Sequence, residues 1–171
     1  MTKGVKIDKY IKYLNRKKVI ILTWHIKTFD QLTTHELYDI LQERTRVFVV
    51  EQECAYLEVD GKDQASYHLF KVENAQIIAY IRLMPKGVSY QEASFGRVLV
   101  HSDYRKTGMG RELVQKGLAF LKDQMGEEVV KIQAQSHLQH FYESFGFYAI
   151  SNVYDDDGIP HVDMIKEEIE T

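Results

Sequence analysis

The segment Val98-Leu99-Val100-His101-Ser102-Asp103-Tyr104-Arg105-Lys106-Thr107-Gly108-Met109-Gly110-Arg111 narrows the folds open to this chain more than any other. An apolar strand passes through a polar turn straight into a helix that carries Leu113, Val114, Leu118 and Leu121 at helical spacing. The first N–H groups of a helix lack backbone partners and its dipole favours negative charge there, so such a terminus attracts anions. Gly108 and Gly110 remove side chains that would block close approach to those amides, and Arg105, Lys106 and Arg111 crowd positive charge around the same spot. Together these parts describe a pyrophosphate cradle. A glycine turn that merely starts a helix has the same R-x-x-G-x-G spacing, and the pattern alone does not separate the two. The G-x-x-x-x-G-K-[ST] loop is absent, and the dinucleotide fingerprint, with an acid ~20 positions on, is not cleanly met.

Around this unit the chain alternates strand and helix. Trp24-His25-Ile26-Lys27 reads as a short strand, and Thr33-Thr34-His35-Glu36 fits the T-x-x-E capping box. Leu37, Ile40, Leu41, Val47 and Phe48 recur behind it, predicting a helix from Thr34 towards Phe48. Glu51 to Ser66 is polar and acidic with an Asp60-Gly61 turn, the character of a binding loop or lid. Tyr67–Val72 and Gln76–Met84 flank Glu73-Asn74-Ala75 as an antiparallel hairpin, and Ser94–Val100 is apolar enough for burial on both faces. A helix closed by Gly126, a strand over Val129–Gln135 and a short helix over His137–Phe145 follow. Phe147–Tyr154 and His161–Lys166 read as a closing pair of strands around Asp155-Asp156-Asp157-Gly158. This order predicts an α/β domain, a mixed sheet with helices on its faces.

At 171 residues the chain suits one domain, since domains usually run ~100–150 residues. Cys54 is the single cysteine, which excludes an internal disulfide framework and a thiolate metal cage. No apolar stretch approaches the ~20 residues of a membrane span, and Val19-Ile20-Ile21-Leu22 is too short for a signal-peptide core. A soluble protein of the cytoplasm is expected. The net charge of −3 is unevenly spread: residues 1–18 hold Lys3, Lys6, Lys9, Lys12, Arg16, Lys17 and Lys18 against Asp8 alone. We set 1–18 apart as a basic N-terminal extension from a domain over 19–171. Such a tail, with its stripe of Ile7, Tyr10, Ile11 and Leu14, suits phosphate or anionic lipid, or a loosely packed extension. The remainder is acidic, which argues against a nucleic-acid surface and suits a basic substrate such as an amine. No metal is expected: His137 and His140 lack a third ligand at diagnostic spacing, H-E-x-x-H is absent, and the Asp155–Gly158 turn lacks the later ligands of a calcium loop.

After a further strand comes Leu138-Gln139-His140-Phe141-Tyr142-Glu143-Ser144-Phe145-Gly146-Phe147. Here the chain resembles the GNAT superfamily of acyl-CoA-dependent N-acetyltransferases. Arg105–Gly110 resembles its R/Q-x-x-G-x-G/A motif, and Phe141–Phe147 its F-Y-x-x-x-G-F segment. The order of elements from Trp24 to Lys166 agrees. Val47-Phe48-Val49-Val50-Glu51-Gln52, Gly96-Arg97-Val98, Ala134–Gln139 and Asp157-Gly158-Ile159-Pro160-His161 resemble the ElaA-like branch in particular.

The resemblance implies a single GNAT-like domain with a mostly antiparallel sheet flanked by helices on both faces, splayed beside the strand before the cradle. Acetyl-CoA is the implied acyl donor and an amine of a small molecule or protein the acceptor, with neither nucleic acid nor membrane as partner. Val98, Leu99 and Val100 would pair with the pantetheine arm, and the amides from Arg105 through Lys106, Thr107, Gly108, Met109 and Gly110 to Arg111 would hold the pyrophosphate. His137 and Phe141 flank either the thiol end or the adenine side, unless Phe141 is simply core. Tyr142 occupies the position of a tyrosine that protonates the leaving sulfur; a packing tyrosine fits there too. An N–H of Leu99 or Val100 would polarise the thioester. For the base, Glu51 stands first and His68, through water, second. Glu51 could equally pair with Arg44 or Arg97, and His68 could face solvent from the sheet. Direct attack on the thioester is preferred to an acyl-cysteine at Cys54, which sits in the acceptor loop. Two other readings stay open: a non-catalytic acyl-CoA-binding or regulatory module, and an enzyme like the acyl-homoserine-lactone synthases. Such folds often pair, which leaves a homodimer open.

Overall fold

The computed structural model describes residues 23–167, so the basic extension at 1–18 lies outside the described residues. In chain order the elements are β1 (Thr23–Thr28), α1 (Thr34–Arg44), β2 (Tyr67–Glu73), β3 (Gln76–Met84), β4 (Ala93–Val100) and α2 (Met109–Asp123). They continue with β5 (Val130–Gln135), α3 (Gln139–Glu143), β6 (Tyr148–Ala149), β7 (Tyr154–Asp156) and β8 (Ile159–Lys166). One sheet runs β1-β2-β3-β4-β5-β8-β6, with β7 also on β8, and every pairing is antiparallel except β4 with β5. This is the expected mixed, mostly antiparallel sheet with helices on both faces. No helix among the described residues is long and apolar enough to cross a membrane.

Two apolar layers hold the sheet between its helices. On one face α2 buries Leu113, Val114 and Leu121 against Ile81, Leu83, Ile132 and Met164. Gly117 lets that helix approach closely: a Cβ there would lie 3.1 Å from a Leu83 methyl and 3.3 Å from one of Ile81. On the other face Ile40 and Val47 cover Phe70, Tyr80 and Leu99.

α1 begins as its capping box predicts. Glu36 N donates to Thr33 Oγ1 at 3.2 Å and Thr33 N to Glu36 Oε2 at 2.9 Å, satisfying two orphan donors reciprocally. Its end differs from the sequence expectation. From Thr45 to Glu51 the helix widens to a π register, with Gln52 N bonded to Val47 O at 3.2 Å and Cys54 N to Val49 O at 3.1 Å. The wider turns keep Val47 in the core while Phe48, Glu51 and Gln52 reach the edge of a cleft.

The closing strands also differ. Phe147–Tyr154 is not one strand: only Tyr148 and Ala149 pair with β8 before the chain leaves the sheet. It returns as β7 in a two-residue hairpin, where Asp157 (φ +53°) and Gly158 (φ +80°) supply the two positive φ angles such a turn needs.

β4 carries the irregularity that shapes the site. Phe95 and Leu99 would share a face in a regular strand, yet they lie in opposite layers. An extra residue on β4 between its pairings with Tyr80 and Arg82 flips the alternation, and Arg97 absorbs it at φ +53°.

Candidate active site

β4 and β5 touch only at Ala93–Val130 and Ser94–Lys131, then diverge. Beyond Ser94 one edge of β4 therefore has no neighbouring strand, and a cleft of about 750 Å³ opens between Phe95–Val100 and Ile132–Gln135. His101 N donates to Ile78 O at 2.9 Å on the β3 side, so strand alternation turns the Val98 and Val100 N–H groups into the splay. The Leu99 N–H faces β3, which corrects the expectation that it could reach a thioester.

At the mouth of the cleft the turn into α2 exposes its amides. Lys106 (φ +63°) and Gly108 (φ +89°) are both left-handed, and the N–H groups from Lys106 through Thr107, Gly108, Met109 and Gly110 to Arg111 donate to no described residue. A Cβ on Gly108 would meet nothing within 4 Å, so no packed neighbour crowds the turn at that residue. Two arginines frame it. Arg111 donates to Ser144 Oγ at 3.0 Å and lies 4.9 Å from the Phe145 ring centre, tying α2 to the end of α3. Arg105 donates from Nε to Val100 O at 3.0 Å and from Nη2 to Glu51 Oε2 at 2.9 Å.

That last pair revises the role expected for Glu51. Its partner is neither Arg44 nor Arg97 but Arg105, which holds the Glu51 carboxyl below the usual carboxylate range. A carboxylate so held is a poor proton acceptor; it anchors the cradle's arginine to the end of the π segment.

His68 is further from expectation. It is fully buried and does not line the cleft. Its Nε2 lies 3.0 Å from Asp63 O, which can only accept, and its Nδ1 lies 2.9 Å from the Tyr80 hydroxyl. Burial pushes its pKa down. Both expectations for His68, a base and a solvent-facing sheet residue, are corrected: its ring is a satisfied core group.

The loop acids change character as well. Glu58, Asp60 and Asp63 do not form an acidic surface but meet three arginines. Arg44 reaches Glu58 at 2.8 Å and Asp63 at 2.6 Å; Arg82 reaches Asp60 at 2.7 Å and Asp63 at 2.9 Å; Arg97 reaches Glu58 at 2.8 Å. Burial opposes the charge on Asp60 and Asp63, yet the arginines hold both carboxyls below their ordinary range. The network pins the loop from Glu51 to Ser66 to β3 and to the β4 bulge.

Tyr142 lies at the base of the cleft, 5% exposed, among the rings of Phe95, Phe141 and Phe147. Its hydroxyl has no hydrogen-bond partner among the described residues, and burial pushes its pKa up. Phe141 is half-buried, packed on the core beside Gly110 and the Arg111 guanidinium, while His137 lines the cleft. Cys54 lies on the cleft wall with Sγ 3.6 Å from Asp157 O. The same cleft takes in Tyr56, Tyr90, Gln133 and His161, which the sequence does not single out for a role, and Arg97, expected only as a possible partner of Glu51. Arg97 and His161 do stand in two of the segments that carried the family resemblance.

A family model described as an acetyltransferase (GNAT) domain matches residues 27–168. The chain is 36% identical over 152 residues to protein ElaA of Escherichia coli strain K12, spanning 88% of this chain and 99% of that protein. The crystal structure of Escherichia coli ElaA matches with a TM-score of 0.81 at 35% identity, over 86% of this chain and 100% of the other. A crystal structure of an acyl-CoA N-acyltransferase from Pseudomonas aeruginosa matches with a TM-score of 0.81 at 39% identity, over 85% and 99%. A CoA-dependent acyl-homoserine lactone synthase, with a TM-score of 0.69 at 16% identity over 85% and 82%, shares the fold alone.

Proposed function

Because this chain belongs to the acetyltransferase (GNAT) domain family, in its ElaA-like branch, we propose that it moves an acetyl group from acetyl-CoA directly to the amine of a small molecule or protein. The fold implies a CoA-thioester partner in general. The observation that carries the finer reading is the run of unpartnered amides from Lys106 to Arg111 opening onto the unpaired edge of β4.

Those amides and the helix dipole suit two linked phosphates. The outward N–H groups of Val98 and Val100 suit the pantetheine arm, which would lie in the splay as an added strand. A thioester carbonyl drawn against the Val98 N–H, beside the bulge, would meet a donor already in place when the oxyanion forms. Tyr142 stands on the other side of the reaction. Desolvation keeps its proton on the phenol, and a thiolate expelled into the same dry pocket gains basicity for the same reason. The free hydroxyl can then donate to the departing sulfur.

Tyr142→Phe tests this role cleanly, since the hydroxyl has no structural partner to lose. In a thiol-release assay with acetyl-CoA and a panel of primary amines, kcat should fall by about 100-fold with little change in KM for acetyl-CoA. Full turnover in the variant would remove Tyr142 from the chemistry. Acetyl-CoA binding without amide formation, across the panel, would instead favour a binding module.

A further inference from the structure

A primary amine near neutral pH arrives as an ammonium ion, and one proton must leave before its lone pair can reach a thioester. Glu51 is committed to Arg105, and His68 is buried outside the cleft with both ring nitrogens engaged. Resting on the transferase reading above, we propose that His161 is the general base that takes this proton from the acceptor amine.

Three observations place His161 for the task. It lines the cleft, on β8 beside Gln135 of β5. Its neighbours along the strand, Val162 and Met164, enter the α2-side core, so alternation points His161 to the opposite face. That is the face on which Gln135 bonds to Gln52, the cap of the π segment, at 3.2 Å. The ring itself is oriented by one bond: Nδ1 lies 2.8 Å from Ile159 O. A carbonyl oxygen only accepts, so Nδ1 carries the hydrogen and the neutral ring presents Nε2 as a bare lone pair. Nε2 has no partner among the described residues. His137 shares the cleft, but no hydrogen bond orients its ring.

Charged and titratable groups of β5, β7 and the π segment surround the ring. Asp163, two residues along the same face, is held by Lys131 at 3.0 Å and by the Tyr154 hydroxyl at 2.6 Å. Tyr154 of β7 pairs across from His161, Asp156 and Asp157 lie at the adjoining turn, and Glu51 of the π segment lines the same cleft. Tyr90 closes the side next to β4, over Lys131.

The protons balance. The ammonium nitrogen starts with three hydrogens and the amide keeps one. His161 Nε2 takes the first and passes it to solvent. As the C–N bond forms and the C–S bond breaks, the Tyr142 proton goes to the CoA sulfur, and the second nitrogen proton restores the phenol. Acetyl-CoA and ammonium thus become amide, CoA thiol and one released proton.

His161→Asn is the informative change, because the asparagine amide N–H can replace Nδ1 towards Ile159 O while nothing replaces Nε2. The full chain is assayed for amide product with the same amine panel. Expected is a fall in kcat of about 100-fold, KM for acetyl-CoA held within about twofold, loss of the acidic limb of the pH–rate profile, and partial rescue by added imidazole. An unchanged melting temperature, checked also for His161→Gln, keeps the result from being one of misfolding. Wild-type turnover with kcat and pH profile preserved in both variants would overturn the base assignment and leave the transferase reading standing. A wild-type chain that acetylates no amine would overturn that reading, and the base assignment with it.

Discussion

Gly108→Glu should weaken acetyl-CoA binding by about 100-fold or more in calorimetric titration, a loss of about 3 kcal/mol. Two effects add. Gly108 sits at φ +89°, where an L side chain costs ~1–2 kcal/mol. The new carboxylate also brings negative charge into the turn that carries the amides from Lys106 to Arg111, where two phosphates would have to contend with it. Gly108→Ala separates the two. Its Cβ meets nothing within 4 Å, so alanine reports the backbone cost alone, a drop in Tm of about 2–8 °C with affinity reduced no more than about tenfold. Wild-type affinity in the glutamate variant would place the diphosphate elsewhere.

The second large effect concerns stability. Arg44 is fully buried, with Glu58 and Asp63 as its partners. Arg44→Ala leaves those carboxylates short of a counter-charge in a dry site, which typically costs ~3–5 kcal/mol and here about 6–20 °C in Tm. Arg44→Lys should not rescue it, because one ammonium cannot serve two carboxylates in the fixed fork a guanidinium offers. The pH dependence follows in sign. Asp60 and Asp63 have folded pKa values below their unfolded ones, so their contribution is whole above about pH 5 and drains as pH falls below ~4 towards the folded values. Urea midpoints between pH 7 and pH 3 should fall steeply for wild type and less so for Arg44→Ala. Equal midpoints at pH 7 would mean that the network does not hold the loop from Glu51 to Ser66.

What the sequence revealed was what is local in the chain. The Thr33–Glu36 box spans a single turn, and the cradle is one continuous strand–turn–helix, so residue type and spacing suffice for both. The sheet's mixed order follows from the alternation of periods. Arg44, Arg82 and Arg97 are far from Glu58, Asp60 and Asp63 in sequence, and only the fold joins them. The loop therefore reads as acidic from sequence, while in the fold its acids are paired with arginines. The β4 bulge was hidden because Arg97, not the adjacent Gly96, takes the left-handed conformation. Glu51 and His68 were chosen as bases by residue type, while what decides a base is which of its atoms remain free. Both turned out to be engaged, and His161, inconspicuous after a hairpin turn, kept a free nitrogen.

A crystal structure of the chain with acetyl-CoA bound tests the central claim most directly. The account predicts diphosphate oxygens within hydrogen-bonding distance of the amides between Lys106 and Arg111. It also predicts a pantetheine arm lying between β4 and β5, bonded to Val98 and Val100, with its sulfur near the Tyr142 hydroxyl. Acetyl-CoA bound outside the splay, with those amides still facing solvent, would contradict it.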